Sequence, residues 1–163
     1  MIIVADTSVL LNLAFLGLDD LLADLFHEVW MPSAVAEEFA RMSASSGRFG
    51  GLKMLSACHI RQVLNIPATF TANSKLDAGE IEALALALQE QADAILLDEF
   101  NAREIASQLS ITAIGTLGLL LIAKQRGLIN VIAPLLRKLI VEGHFRLSGD
   151  LVREALLKAG ELP

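Results

Sequence analysis

Carboxylates recur along this chain in four short motifs: Asp6 in VADTSVL, Glu37-Glu38 in PSAVAEEF, Glu80 in LDAGEIEALALA and Asp98-Glu99 in ILLDEFNAR. Asp6 and Asp98 directly follow the apolar runs 2–5 and 94–97, which read as buried strands, so both acids are expected at strand ends. In an open α/β sheet the carboxyl ends of the strands line the crevice where ligands bind. Carboxylates gathered there with few cations repel one another unless a hard divalent cation neutralises them. The chemistry such a pattern points to is metal-assisted hydrolysis of a phosphodiester.

Each motif also has an ordinary structural use. An Asp between strand and helix is often an N-cap, but Thr7 and Ser8 compete for that position and leave Asp6 free. Neighbours on a helix point about 100° apart, so only one of Glu37 and Glu38 can face the crevice. Glu38, beside Phe39 and three residues after Val35, borders the buried stripe; Glu37 lies farther round, and two solvated helix acids would look the same in sequence. The acids around Glu80 sit in a first turn, where the helix dipole favours them. Gly79, however, costs helix stability there and leaves a gap that suits close approach by another group. Glu99 has Arg103 four residues on as a potential helical ion-pair partner; Asp98 has none in sequence.

The elements that must position these acids alternate between strand and helix. Strands are expected at 2–5, 29–31, 59–63, 94–97 and 111–114. Helices are expected from Thr7 or Ser8 to Leu16, at 18–26, at 33–41, from Asp77 or Ala78 to about Gln91, and at 100–109, 116–126, 131–142 and 150–159. Gly17 and Pro32 act as stops, and the helix that begins at Asp77 or Ala78 should bury Ile81, Leu84, Ala85 and Leu88. Residues 43–51 and 67–75 read as surface loops. Alternation of this kind predicts an α/β fold with a parallel sheet covered on both faces, formed by a single domain over 1–163.

Composition narrows the class. Hydrophobic residues make up 54% of the chain and mean hydropathy is +0.56, which excludes a disordered polypeptide. The most apolar stretch, 114–123, is interrupted by Gly115, Thr116 and Gly118 and ends at Lys124, short of the roughly 20 residues a membrane span needs. No basic leader precedes the first strand, and the single Cys58 allows no internal disulfide, so a cytoplasmic setting is expected. One cysteine and three dispersed histidines argue against zinc. Net charge is −6, yet residues 1–40 hold seven acids and no Lys or Arg, whereas 39–76 hold five bases and no acid. An acidic half beside a basic insertion suits a protein that holds a cation and a phosphate together.

In order and spacing, VADTSVLLNLA, MPSAVAEEF, LDAGEIEALALA, LLDEFNAREIA and IGTLGLLLIAKQRGLI resemble the PIN-domain nuclease superfamily, most closely its prokaryotic branch of toxin ribonucleases from toxin–antitoxin modules. The resemblance runs from Ile2 to about Gly160. It implies a three-layer α/β/α sandwich around a parallel sheet of about five strands, with Asp6, Glu38, Glu80 and Asp98 binding Mg²⁺ or Mn²⁺. Two positions depart from the family pattern. Its third acid is usually Asp and here is Glu80; its fourth motif is usually Thr-x-Asp or Thr-x-Asn and here is Leu97-Asp98-Glu99, so either acid can be the fourth ligand. Thr116 matches a family hydroxyl near the site, and it also suits a helix cap.

The expected activity is metal-dependent RNA hydrolysis, with Glu80 or Asp98 orienting water and Arg41, Arg48, Lys53 and Lys75 holding phosphates. A toxin would act with an antitoxin protein, and the apolar helices suit a homodimer. The competing expectation is a catalytically silent PIN-like module acting through a protein partner, and a third is a phosphatase with an acidic pocket. The dehalogenase-type phosphatase pattern is absent, since no second Asp stands two residues after Asp6.

Overall fold

The computed structural model describes residues 1–162. Five strands form one sheet: β1 (Ile3–Ala5), β2 (Val29–Met31), β3 (Cys58–Ile60), β4 (Ala94–Leu96) and β5 (Thr112–Ile114). Their order is β3-β2-β1-β4-β5 and every pairing is parallel, with Ile3, Val4 and Ala5 opposite Ala94, Ile95 and Leu96. Parallel strands need crossover connections, and helices supply them. Among the described residues these are α1 (Thr7–Phe15), α2 (Leu21–Phe26), α3 (Ser33–Ala44), α4 (Ala68–Thr71), α5 (Ala78–Gln89), α6 (Phe100–Gln108), α7 (Thr116–Gln125), α8 (Ala133–Val141) and α9 (Gly149–Lys158). The result is a three-layer α/β/α arrangement.

Strand order fixes where a ligand can sit. From β1 the chain moves outward to β2 and β3, then crosses back to β4 on the other side of β1 and proceeds to β5. The order therefore reverses between β1 and β4, and a crevice opens beyond the carboxyl ends of strands at such a switch point. Asp6 follows β1 and Asp98 follows β4 by two residues, so the two acids flank that crevice. Their strands are buried throughout, as the continuous apolar runs require of a sheet covered on both faces.

Local chemistry explains most element boundaries. Gly17, at φ +71°, ends α1 in the left-handed region that glycine tolerates. Ser148 caps α9 by accepting from the Leu151 N–H. Helix α3 runs three residues past the expected Arg41, to Ala44, and a short helix α4 lies inside the expected 67–75 loop. The third strand starts one residue earlier and ends three earlier than expected. In α5, Leu88 is 40% exposed, while Ala83, Leu86 and Ala87 are buried with Leu84 and Ala85. This helix packs against α3, α6, β1 and β4, so its buried surface is wider than the single stripe read from periodicity.

Two apolar clusters result. The larger joins both sides of the sheet through Leu10, Leu22, Val35, Leu84, Ile95 and Leu119. The smaller lies where α7 meets the last two helices, through Leu120, Ile132, Leu136, Leu139 and Ala155. No helix among the described residues is long and apolar enough to cross a membrane.

Candidate active site

A cleft of about 340 Å³ opens at the switch point, lined by Asp6, Glu38, Asp77, Glu80, Asp98 and Glu99, with Thr7, Ser8 and Leu11 below and Phe145 and Arg146 at its edge. Six carboxylates from β1, α3, α5 and the turn after β4 thus face one space. Glu37 is not among them: it is exposed, whereas Glu38 is half-buried.

Each acid is held by a different device. Asp6 takes the N-cap position of α1 that Thr7 or Ser8 was expected to fill, with extended backbone, yet its side chain makes no capping bond. Its Oδ2 accepts from the Ser8 hydroxyl at 3.5 Å, and its buried Oδ1 has no hydrogen-bond partner. Glu38 Oε2 accepts from Thr7 Oγ1 at 2.8 Å. Glu80 belongs to a capping box: its backbone N–H donates to Asp77 Oδ1 at 2.8 Å, and its Oε2 accepts from the Asp77 N–H at 2.9 Å. Asp98 accepts from the Thr116 N–H at 2.7 Å, Thr116 Oγ1 at 2.6 Å and Asn12 Nδ2 at 3.2 Å.

Gly79 explains how α3 and α5 bring their acids together. A Cβ at this position would lie 2.8 Å from Glu38 Oε2 and 3.4 Å from both Asp6 Oδ1 and Thr7 Oγ1. The missing side chain leaves room for two carboxylates to approach the first turn of α5. Such a buried polar cluster needs a reason, because an unpaired buried oxygen costs stability.

A family model described as the PIN domain matches residues 2–161. The chain belongs to the PIN-domain family. Its members are generally nucleases and typically use divalent metal ions. No curated protein and no solved structure matches the chain.

Electrostatics of this PIN domain follow from burial and like charge. Desolvation raises the Asp6 carboxyl to about 7, and Asp77, Glu80 and Glu38 push the same way against the opposing Thr7 backbone N–H. Glu80 is also raised to about 7, first by desolvation and then by Asp77, Glu99 and Glu38. Two acids that resist ionisation at neutral pH mark a place where positive charge would be stabilising.

The donors fit a hard cation: all are carboxylate or hydroxyl oxygens, and Asp6 Oδ1 is a buried acceptor with no donor. Among the described residues no three acidic, histidine or cysteine side chains converge into a ready-made cage. Glu38 and Asp98 are turned instead onto the Thr7 and Thr116 hydroxyls, and a cation would have to draw them away from these neutral donors. Charge-assisted ligation outweighs a neutral hydroxyl bond, so oxygen chemistry and the orphaned Asp6 atom decide in favour of fit.

The other residues singled out from sequence are scattered. Arg41 lies one turn beyond Glu38 on α3 and Lys75 two residues before Asp77; both are exposed and neither lines the cleft. Arg48 stacks over the Phe49 ring at 4.6 Å, and Lys53 borders a separate depression beside Asp19 and Asp20. The expected Glu99–Arg103 ion pair does not form: Glu99 caps α6 through Asn101, and Arg103 Nη1 donates to the Leu97 carbonyl at 3.0 Å. Asn12, Asp77, Phe145 and Arg146 reach the site without having been read as part of it. An Asn inside the apolar run Val9–Leu13 of α1 was the available clue for Asn12, since a buried amide needs partners.

Proposed function

We propose that this PIN domain is a metal-dependent ribonuclease, with Asp6, Glu38, Glu80 and Asp98 as the acids that hold Mg²⁺ or Mn²⁺ and Glu99 as an accessory at the rim. The observation that carries the reading is Asp6 Oδ1, buried among carboxylates at the switch point with nothing donating to it. The resemblance of its motifs to toxin ribonucleases supports a place in a toxin–antitoxin pair, with a dedicated protein inhibitor and a homodimeric toxin.

When bound, the metal supplies Lewis-acid stabilisation of charge on the phosphate and a lowered pKa for water. The chain's own part is geometric. Thr116 and Asn12 fix Asp98 by three hydrogen bonds, so that carboxylate keeps one orientation in the lining of the cleft. Thr7 orients Glu38 in the same manner. Glu80, tethered through one oxygen to the Asp77 N–H, presents the other to orient water and take its proton as the water oxygen bonds to phosphorus and the P–O bond to the departing oxygen breaks. The proton from water ends in solvent, and the departing oxygen gains one. Arg41 and Lys75, flanking the cleft in sequence, serve an RNA long enough to leave it, and Arg48 and Lys53 serve only a longer one.

An acidic cleft could also hydrolyse small phosphate monoesters. The test is to supply purified protein and Mn²⁺ with a labelled RNA oligonucleotide or with p-nitrophenyl phosphate. RNA cleavage with no monoester turnover is expected; preference for the monoester would overturn the reading. The binding-module reading draws on Glu80 already serving the capping box, and it predicts turnover of neither substrate.

A further inference from the structure

The motif LDAGEIEALALA supplies the cleft with Glu80 and carries a further acid, Glu82, that does not line it. Glu82 is half-buried on α5, and its carboxylate crosses to the neighbouring helix, where Oε2 accepts from the Ala34 N–H at 3.1 Å. Ala34 is the second residue of α3, so its N–H is one of the first-turn donors a helix leaves without an internal partner. The residue ahead of α3 is Pro32, whose side chain offers no acceptor, and no capping bond forms there. Glu82 fills that role from 48 residues away, with its negative charge at the positive end of the α3 dipole. Among the described residues no cation pairs with it.

The place of this contact matters more than its strength. Ala34 precedes Glu38 by four residues and Glu82 follows Gly79 by three, so each interval is about one helical turn. At one level Glu82 meets Ala34; at the next, Gly79 makes room for Glu38, whose Oε2 would lie 2.8 Å from a Cβ there. The two contacts follow opposite order along α3 and α5, so fixing one fixes the other. Apolar packing through Val35 and Phe39 holds α3 in place without a directional point of reference, whereas a hydrogen bond has a narrow range of length and angle. A slide of α3 by one residue's rise, about 1.5 Å, would carry Glu38 beyond the roughly 0.5 Å that a site of several acting groups tolerates.

We propose that Glu82 is a positioning residue: by capping α3 from α5 it sets the axial register of the two helices and so holds Glu38 beside Gly79 in the acidic cleft. Its consequence for metal binding rests on the ribonuclease reading; the register itself does not.

The experiment compares Glu82→Ala and Glu82→Gln with the unmodified sequence at that position in two measurements. The first needs no metal: electron–electron resonance distances between spin labels at Glu37→Cys on α3 and Leu88→Cys on α5, both exposed positions, in a Cys58→Ser background. Glu82→Ala should broaden the distance or shift it by about 1.5 Å, and Glu82→Gln, whose amide oxygen still accepts from Ala34, should restore it. The second titrates Mn²⁺ by calorimetry in chains without labels. Glu82→Ala should bind about tenfold more weakly, the effect of losing a group that orients a ligand, and Glu82→Gln should match the unmodified protein. Glutamine removes the charge and keeps the acceptor, so equal loss in both variants would mean a charge effect and overturn the proposal. Ser148→Ala removes a cap of the same kind from α9, outside the cleft, and should lower Tm with Mn²⁺ affinity unchanged. An unaltered label distance in Glu82→Ala, or a fall in Mn²⁺ affinity matched by Ser148→Ala, would reduce Glu82 to a stabilising cap. If the unmodified protein binds no Mn²⁺ while the label distance responds as described, the metal reading falls and the register role stands.

Discussion

Asp6 is a carboxylate 4% exposed to solvent, with one oxygen unpaired and three other acids raising its proton affinity further. The consequence for stability has a definite sign. In the unfolded chain Asp6 titrates near 3.8, in the folded one near 7. Below about pH 4 both states are protonated; between 4 and 7 the folded state holds more protons, so metal-free stability must fall as pH rises, and the loss is complete above 7. Glu80, raised from 4.5 to about 7, adds in the same direction. A thermal melt of metal-free protein should therefore show Tm lower at pH 8 than at pH 5. Asp6→Asn should flatten the profile and raise Tm at pH 8 by about 3 °C, roughly 1 kcal/mol in a chain of this size. A profile that rises with pH would mean Asp6 is paired in solution. Glu80 has two jobs, a cap and a cleft acid, and substitution can part them. Glu80→Gln keeps an oxygen for the Asp77 N–H, so stability should hold while cleavage drops at least a hundredfold; Glu80→Ala should lose both, with about 1 kcal/mol from the cap. Retained cleavage in Glu80→Gln would reduce Glu80 to a cap. In the sequence the acids themselves were legible, because Asp6 and Asp98 close apolar runs. Asn12 and Arg146 were not: Asn12 stands inside the first motif, but only the fold brings it to Asp98, and Arg146 lies far from every motif.

At the scale of elements, Gly79 sits where α3, α5 and the turn after β1 converge. An alanine there favours the helix by up to about 1 kcal/mol, but its Cβ meets the flexible end of Glu38 at 2.8 Å. Glu38 can swing away at little cost, so Gly79→Ala should leave Tm unchanged or higher while lowering metal-dependent cleavage at least tenfold. Parallel loss of stability and activity would show that Gly79 is only a packing position. The glycine was readable as a gap near Glu80, because a helix former was missing from an otherwise strong helix. What filled the gap was not, since Glu38 is 41 residues from Gly79 in the sequence. Strands and most helices were legible from apolar runs and stop residues. Leu88 was misplaced because periodicity assigns one buried stripe, and α5 is packed by four neighbours. The capping box of α5 was visible in principle as Asp77 with Glu80 three residues on.

At the scale of the molecule, the segment carrying Phe145 and Arg146 lies between α8 and α9, outside the main core, and depends on the smaller cluster. Glu161 fastens this region: its carboxylate accepts from the Ile132 and Ala133 N–H groups and pairs with Lys124 Nζ at 2.8 Å. Glu161→Ala removes all three partners, so urea unfolding should show a loss of about 2 kcal/mol. A change under about 0.5 kcal/mol would mean the C-terminal helices hold without it. The α/β class, the parallel sheet and its strand count were legible as alternation, whereas the strand order that creates the crevice depends on long-range pairing of β1 with β4. Charge by segment was a weaker guide: the basic stretch 39–76 contributes no side chain to the lining of the acidic cleft, and the arginine that does lies far along the chain. The proposed activity requires these acids to act with a metal on RNA. The most direct measurement incubates the protein and its Asp6→Asn variant with a mixed RNA pool, in Mn²⁺ or in EDTA. Cleavage by the unmodified protein in Mn²⁺ alone, lost in Asp6→Asn, is the predicted result; cleavage that persists in EDTA or in Asp6→Asn would contradict it.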